Sequence, residues 1–141
     1  MTILIFNMTD LYRYIKDLTK SLDDNDEYVR AASVRSLGEL KISIPFDVRT
    51  KVIKDVINAG KDKKGIVKHA AATSLGQLKD VIFSEGMINV ATMELLKLSY
   101  DREWGIRGAA AISFGELGDC IPANLKTQVL ERVLALTKDF D

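Results

Sequence analysis

Apolar residues recur along this chain at intervals of three and four, in stripes separated by short polar runs. That spacing predicts amphipathic helices and gives no support to β-strands. Leu11, Ile15, Leu18 and Leu22 form one stripe, and Val48, Val52, Val56 and Ile57 another. Ile88, Ala91, Leu95 and Leu98 form a third, and Leu125, Val129, Val133 and Leu136 a fourth. Between them lie stripes of a second kind, richer in small residues. In the first of these, Val29, Ala32, Ser33, Ser36, Leu37 and Leu40 fall at i, i+3, i+4, i+7, i+8 and i+11. This places Ala31, Val34, Arg35 and Glu39 on the opposite side of the helix, with packing between adjacent B helices as the alternative for the alanines of that side. The pattern predicts seven helices, arranged as three hairpins of an A and a B helix followed by an unpaired A helix.

The B stripes are copies of one another. DNDEYVRAASVRSLGEL (24–40), DKKGIVKHAAATSLGQL (62–78) and DREWGIRGAAAISFGEL (101–117) align without a gap at offsets of 38 and 39 residues. Each carries Asp, an aliphatic residue (Val29, Val67, Ile106), a base (Arg30, Lys68, Arg107), Ala (Ala32, Ala70, Ala109) and Ser (Ser36, Ser74, Ser113). A large apolar residue, Gly (Gly38, Gly76, Gly115) and Leu complete the set. The leading Asp stands where a carboxylate can cap free helix N–H groups. Ile44-Pro45 and Ile121-Pro122 mark the starts of A helices, since Pro suits a first helical turn, with Ile82-Phe83 at the same place in the middle copy. Phe6 stands one repeat before Ile44, so the apolar run Ile3–Phe6 is expected to begin the first repeat as a packed cap. One hairpin cannot bury its apolar face alone, whereas stacked hairpins share a continuous core. The expectation is a single all-α domain over 1–141, with repeats at about 6–41, 44–80 and 83–119 and a half-repeat at 121–138.

Composition narrows the function. With 20 Lys+Arg against 20 Asp+Glu, the net charge is zero, which argues against a dedicated nucleic-acid binder. At 47% hydrophobic and 28% charged, the chain reads as soluble and globular. One His and one Cys are too few for a His/Cys zinc site or a disulfide framework, and no cofactor is expected. The run Ile3–Phe6 is far short of the roughly 20 apolar residues of a membrane span and lacks the flanks of a signal peptide, leaving the cytoplasm as the default.

The recurring Asp-x4-Val-Arg-x-Ala-x4-Leu-Gly-x-Leu pattern resembles the HEAT repeat, including the HEAT-like repeats of phycobilin lyases, over about 6–138. Its period of 38 to 39 is slightly below the usual span of about 40–47. The resemblance implies a right-handed α-solenoid of about three and a half hairpins. It also implies a structural ladder of motif acids and bases between neighbouring repeats, with the rungs Asp24/Arg30, Asp62/Lys68 and Asp101/Arg107. Lys68 departs from the pattern, offering a point charge where Arg offers a planar fork. Family members mostly act as non-catalytic scaffolds and adaptors that hold a partner on a concave B-helix face. On this chain that face comprises Arg35, Glu39, His69, Thr73, Gln77, Ile112 and Glu116. The expected partner is a peptide or helix of another protein. A nucleic-acid-binding HEAT-like protein and a bilin-lyase-type accessory protein are the alternatives.

Other residues invite weaker readings. Acid–base pairs present in every repeat suit structure better than catalysis, which needs its groups once. Glycine inside a helix costs about 1 kcal/mol relative to alanine, so its threefold recurrence predicts close helix approach. His69 is read as a surface side chain and Cys120 as a free, partly buried thiol. Trp104 is expected to cover the end of the third hairpin, with an exposed interface anchor as the alternative. Lys61, Lys63, Lys64 and Lys68 form a basic turn, and Asp23, Asp24, Asp26 and Glu27 an acidic one; both are read as solvated charge. The closing residues 136–141 echo 18–23, as though another B helix were to follow. An unpaired A helix there either caps the stack or exposes an apolar edge, and the second case predicts a homodimer through Val129, Val133 and their neighbours.

Overall fold

The computed structural model describes residues 7–139. Among them are eight α-helices and no strand: α1 (Met8–Ser21), α2 (Glu27–Leu40), α3 (Phe46–Ala59), α4 (Gly65–Gln77), α5 (Lys79–Ser84), α6 (Ile88–Leu98), α7 (Trp104–Leu117) and α8 (Ala123–Asp139). The B helices α2, α4 and α7 form the inner layer and make the most extensive helix contacts, α2 with α4 and α4 with α7. The A helices α1, α3, α6 and α8 back onto them, giving a helical-repeat stack. The expected cap at Ile3–Phe6 lies outside the described residues.

The eighth helix, α5, was not expected, and proline explains it. Ile44 and Ile121 precede Pro45 and Pro122 and adopt extended backbone (ψ 123° and 127°), as the proline ring requires of its predecessor. After α2 and α7 the chain therefore makes only a 3-10 turn (Lys41–Ser43, Gly118–Cys120) before leaving helical geometry. The middle repeat has Phe83 in place of proline, and the chain stays helical through Ser84. It turns at Gly86 (φ +67°) instead, which shortens α6 to 11 residues. Ile44, Ile82 and Ile121 are nevertheless all buried, so the apolar anchor keeps its place while the backbone around it differs.

The core joins both layers. Leu37, Leu75 and Phe114 from the B helices meet Val52, Val56, Ala91, Leu95 and Val129 from the A helices in one buried cluster. Helix α4 lies between two B neighbours and is apolar almost all round, with Val67, Ala70, Ala71, Ala72 and Leu75 buried. Two expectations about the B stripes are corrected here. Val34, placed on the open side, is fully buried, and so are Ala31 and Ala72, which take the alternative open to the alanines of that side. Val29 and Ala32, placed in the core, are exposed. The reason is lateral: among the described residues α2 has a B neighbour only toward α4, and that flank closes.

The A layer is held by longer polar reach. Arg49 is buried, its Nε donating to the Ile44 carbonyl (2.7 Å) and its Nη2 to the Ile42 carbonyl (2.9 Å). Its guanidinium lies 3.9 Å from the centre of the Phe46 ring. Arg132 does the same for α6, donating to the Ser99 carbonyl (2.6 Å) and stacking 3.8 Å from the Tyr100 ring. Both cations thereby occupy carbonyl groups left over at helix ends.

Candidate protein-interaction groove

The motif acids and bases build the turn edge of the stack. Asp24, Asp62 and Asp101 lie two residues ahead of the helix N-caps, so they do not cap directly. Each carboxylate instead accepts the N–H of the capping residue: Asp26 (2.8 Å), Lys64 (2.9 Å) and Glu103 (3.0 Å). The second carboxylate oxygen of Asp62 and Asp101 faces the preceding repeat. Arg30 reaches Asp62 through two bonds (2.9 and 3.2 Å) and also donates to the Asp24 and Asn25 carbonyls (2.9 and 3.1 Å). Lys68 reaches Asp101 through one (2.6 Å). The pairs therefore run from the base of one repeat to the acid of the next, which corrects the expected rungs within each motif copy: Asp62 is met by Arg30 and Asp101 by Lys68. Arg107 donates within its own turn, to the carbonyls of Asp101 (3.0 Å) and Arg102 (2.9 Å).

These contacts set the charge states. Burial works to raise the Asp62 pKa, but the bonds from Arg30 and from the Lys64 N–H outweigh it and hold the carboxyl below its ordinary value. Burial opposes in the same way at Asp101, where the Glu103 N–H and Lys68 prevail. Arg30 is pushed up, chiefly by its bond to Asp62. The basic turn is largely neutralised by pairing, since Lys61 meets Glu94 (3.1 Å), Lys64 meets Glu27 (3.6 Å) and Lys68 meets Asp101.

Serine and glycine interlock the B helices behind that edge. Ser74 Oγ donates to the Val34 carbonyl (3.1 Å) and Ser113 Oγ to the Ala72 carbonyl (2.5 Å). Each serine rests on the glycine of the preceding repeat. A Cβ at Gly38 would lie 2.6 Å from Ser74 Oγ, and one at Gly76 would lie 2.5 Å from Ser113 Oγ and 3.0 Å from its Cα. Gly115, the third copy, has nothing within 4 Å of that point.

A groove runs between α4 and α7 on the B-helix face. One section, of about 460 Å³, is lined by Arg35, Ile66, His69, Arg102, Glu103 and Trp104 among others. The adjoining section, of about 340 Å³, shares His69, Trp104 and Gly105 and continues along Thr73, Gly108, Ile112 and Glu116. Of the residues expected on this face, Arg35, His69, Thr73, Ile112 and Glu116 come together here. Glu39 is exposed outside the lining, and Gln77 turns into the α2–α4 junction, where its Oε1 lies against Gly38. Trp104 does not cover the hairpin end: it is 71% exposed on the groove wall, with Ile112 67% exposed farther along. Ile66 and Arg102 were missed, because they belong to turns and first helical residues that the stripe leaves unassigned. Cys120 is half-buried in the 3-10 turn before α8. Among the described residues no group of three or more His, Cys, Asp or Glu is placed to hold a metal ion.

Residues 1–97 match the family model described as sister chromatid cohesion protein PDS5. The chain belongs to that family of HEAT-repeat proteins. A HEAT-like relative agrees: the Maestro heat-like repeat-containing protein family member 1 homolog of Caenorhabditis elegans is 26% identical over 153 aligned positions. That alignment covers 96% of this chain and 9% of the relative, so the chain spans only a small part of the relative's length. As HEAT repeats, the three motif copies find their place as structural units of a helical-repeat scaffold, a class that is generally non-catalytic. No helix among the described residues of this HEAT-repeat stack is long and apolar enough to cross a membrane.

Proposed function

We propose that the chain is a non-catalytic interaction scaffold that holds a peptide or helix of another protein in the groove between α4 and α7. The observation that carries this reading is the pairing of Trp104 and Ile112, both widely exposed and both on one continuous groove. A lone exposed apolar side chain is ordinary on a protein surface. Two large ones along a concavity that also offers Arg35, His69, Thr73 and Glu116 make the mixture of anchor and polar rim in which interface hot spots sit. The occupant is a segment with an apolar side chain for the Trp104–Ile112 stretch and polar groups at its flanks.

The test is capture from the native source's lysate on the immobilised protein, with and without nuclease, beside a Trp104→Ala/Ile112→Glu variant. Both side chains are exposed, so the variant should keep the wild-type melting temperature. A nuclease-resistant protein bound by the wild type and lost by the variant supports the groove. A partner retained by the variant, or one released by nuclease, overturns it.

A further inference from the structure

The two edges of the stack carry residues whose counterparts inside it are buried. On the edge formed by α7 and α8, Leu130 and Leu134 are 63% and 64% exposed. In repeat register they correspond to Ile53 and Ile57 of α3 and to Thr92 and Leu96 of α6, all buried. On α7, Gly115 is exposed where Gly38 and Gly76 are covered. On the opposite edge, Val29 and Ala32 of α2 are exposed, although their counterparts Val67, Ala70, Ile106 and Ala109 are buried. Ser36, the counterpart of Ser74 and Ser113, makes no side-chain hydrogen bond among the described residues. Asp24 has the same turn geometry as Asp62 and Asp101, with no base from a preceding repeat on it among the described residues.

We propose that the α7–α8 edge docks the α1–α2 edge of a second copy of this chain, head to tail. The α2–α4 and α4–α7 junctions are the templates, and the new junction continues them with the same residue types. Val29, Ala32 and Ser36 of the second copy lie along Ala111 and Gly115. Ser36 Oγ donates to the Ala111 carbonyl, as Ser74 does to Val34 and Ser113 to Ala72. Leu130 and Leu134 are covered by the incoming hairpin. A contact between unlike faces does not close on itself, so assembly proceeds beyond the dimer in whole-chain steps.

Two blocking variants test this: Gly115→Arg fills the seat on one edge, and Ala32→Arg blocks the other. Neither position is in the core, so at concentrations where the wild type is monomeric neither variant should melt below it. Molar mass by light scattering is expected to rise with concentration for the wild type, past two copies. Each variant alone is expected to stay monomeric. Mixed in equal amounts they should form a one-to-one dimer, because each supplies the edge that the other has lost. The proposal is overturned if the wild type remains a monomer at millimolar concentration, if its mass stops at two, or if the mixed variants fail to pair.

Discussion

Gly76 and Gly115 occupy the same place in the same motif, one inside the stack and one at its edge. At Gly76 the missing side chain is what lets Ser113 approach and bond the Ala72 carbonyl. At Gly115 the same absence meets open space. The same residue at the same motif position thus has two consequences within one chain: Gly76 admits the next repeat, while Gly115 has no neighbour in its own chain to admit and, in the monomer, weakens its helix. What a motif position contributes is decided by its neighbour across the junction, and the helix that carries it cannot reveal that.

The largest effect should come from the core shared by both layers. Leu75→Ala, in the middle of α4, is expected to cost about 2–5 kcal/mol by urea denaturation. An unchanged midpoint would contradict the packing described. Next is Gly76→Ala, where the added methyl displaces Ser113; overpacking of this kind costs about 1–3 kcal/mol and should exceed the gain in helix propensity. Gly115→Ala should have the reverse sign, stabilising by up to about 1 kcal/mol. If both substitutions destabilise equally, the distinction between junction and edge is wrong. Ser113→Ala should cost about 1 kcal/mol while Ser36→Ala costs little, since only the former makes a cross-repeat bond.

The smallest expected effect concerns pH. Asp62 and Asp101 are held below their ordinary values in the fold. Their contribution is therefore full above the unfolded carboxylate pKa of about 3.9 and is lost as pH falls through the lower folded values. Stability should decline below about pH 4. Asp62→Asn should lower the midpoint at neutral pH and shrink the difference between neutral and acid conditions.

Much of this was legible. The A stripes give the right helices, with Val52, Val56, Leu95 and Val129 all buried. The repeat register puts Ile82 in the place of Ile44 and Ile121, and all three are buried although the middle copy lacks the proline and the helix start expected there. What could not be read is anything that depends on which flank of a helix has a neighbour. A helical wheel treats Val29 and Val34 as core and surface, whereas the stack buries the second and exposes the first. The same blindness affected the last helix. Val129 is buried and Val133 half-buried, and the widely exposed apolar side chains of that helix are their neighbours Leu130 and Leu134. Trp104 is the first residue of α7, ahead of the helix's apolar period, and its exposure follows from tertiary placement alone.

The side-chain bonds that join one repeat to the next in the B layer, Arg30–Asp62, Ser74–Val34, Lys68–Asp101 and Ser113–Ala72, link residues 32 to 41 apart in sequence. No substantial contact joins α1 or α2 to α6, α7 or α8. The chain therefore never has to bring its distant ends together in order to fold. Each hairpin closes a loop of similar, modest size on a neighbour already in place, so order can spread along the stack from any hairpin that forms first. Pulled from its two ends, such a molecule should surrender its length in successive increments of about one hairpin.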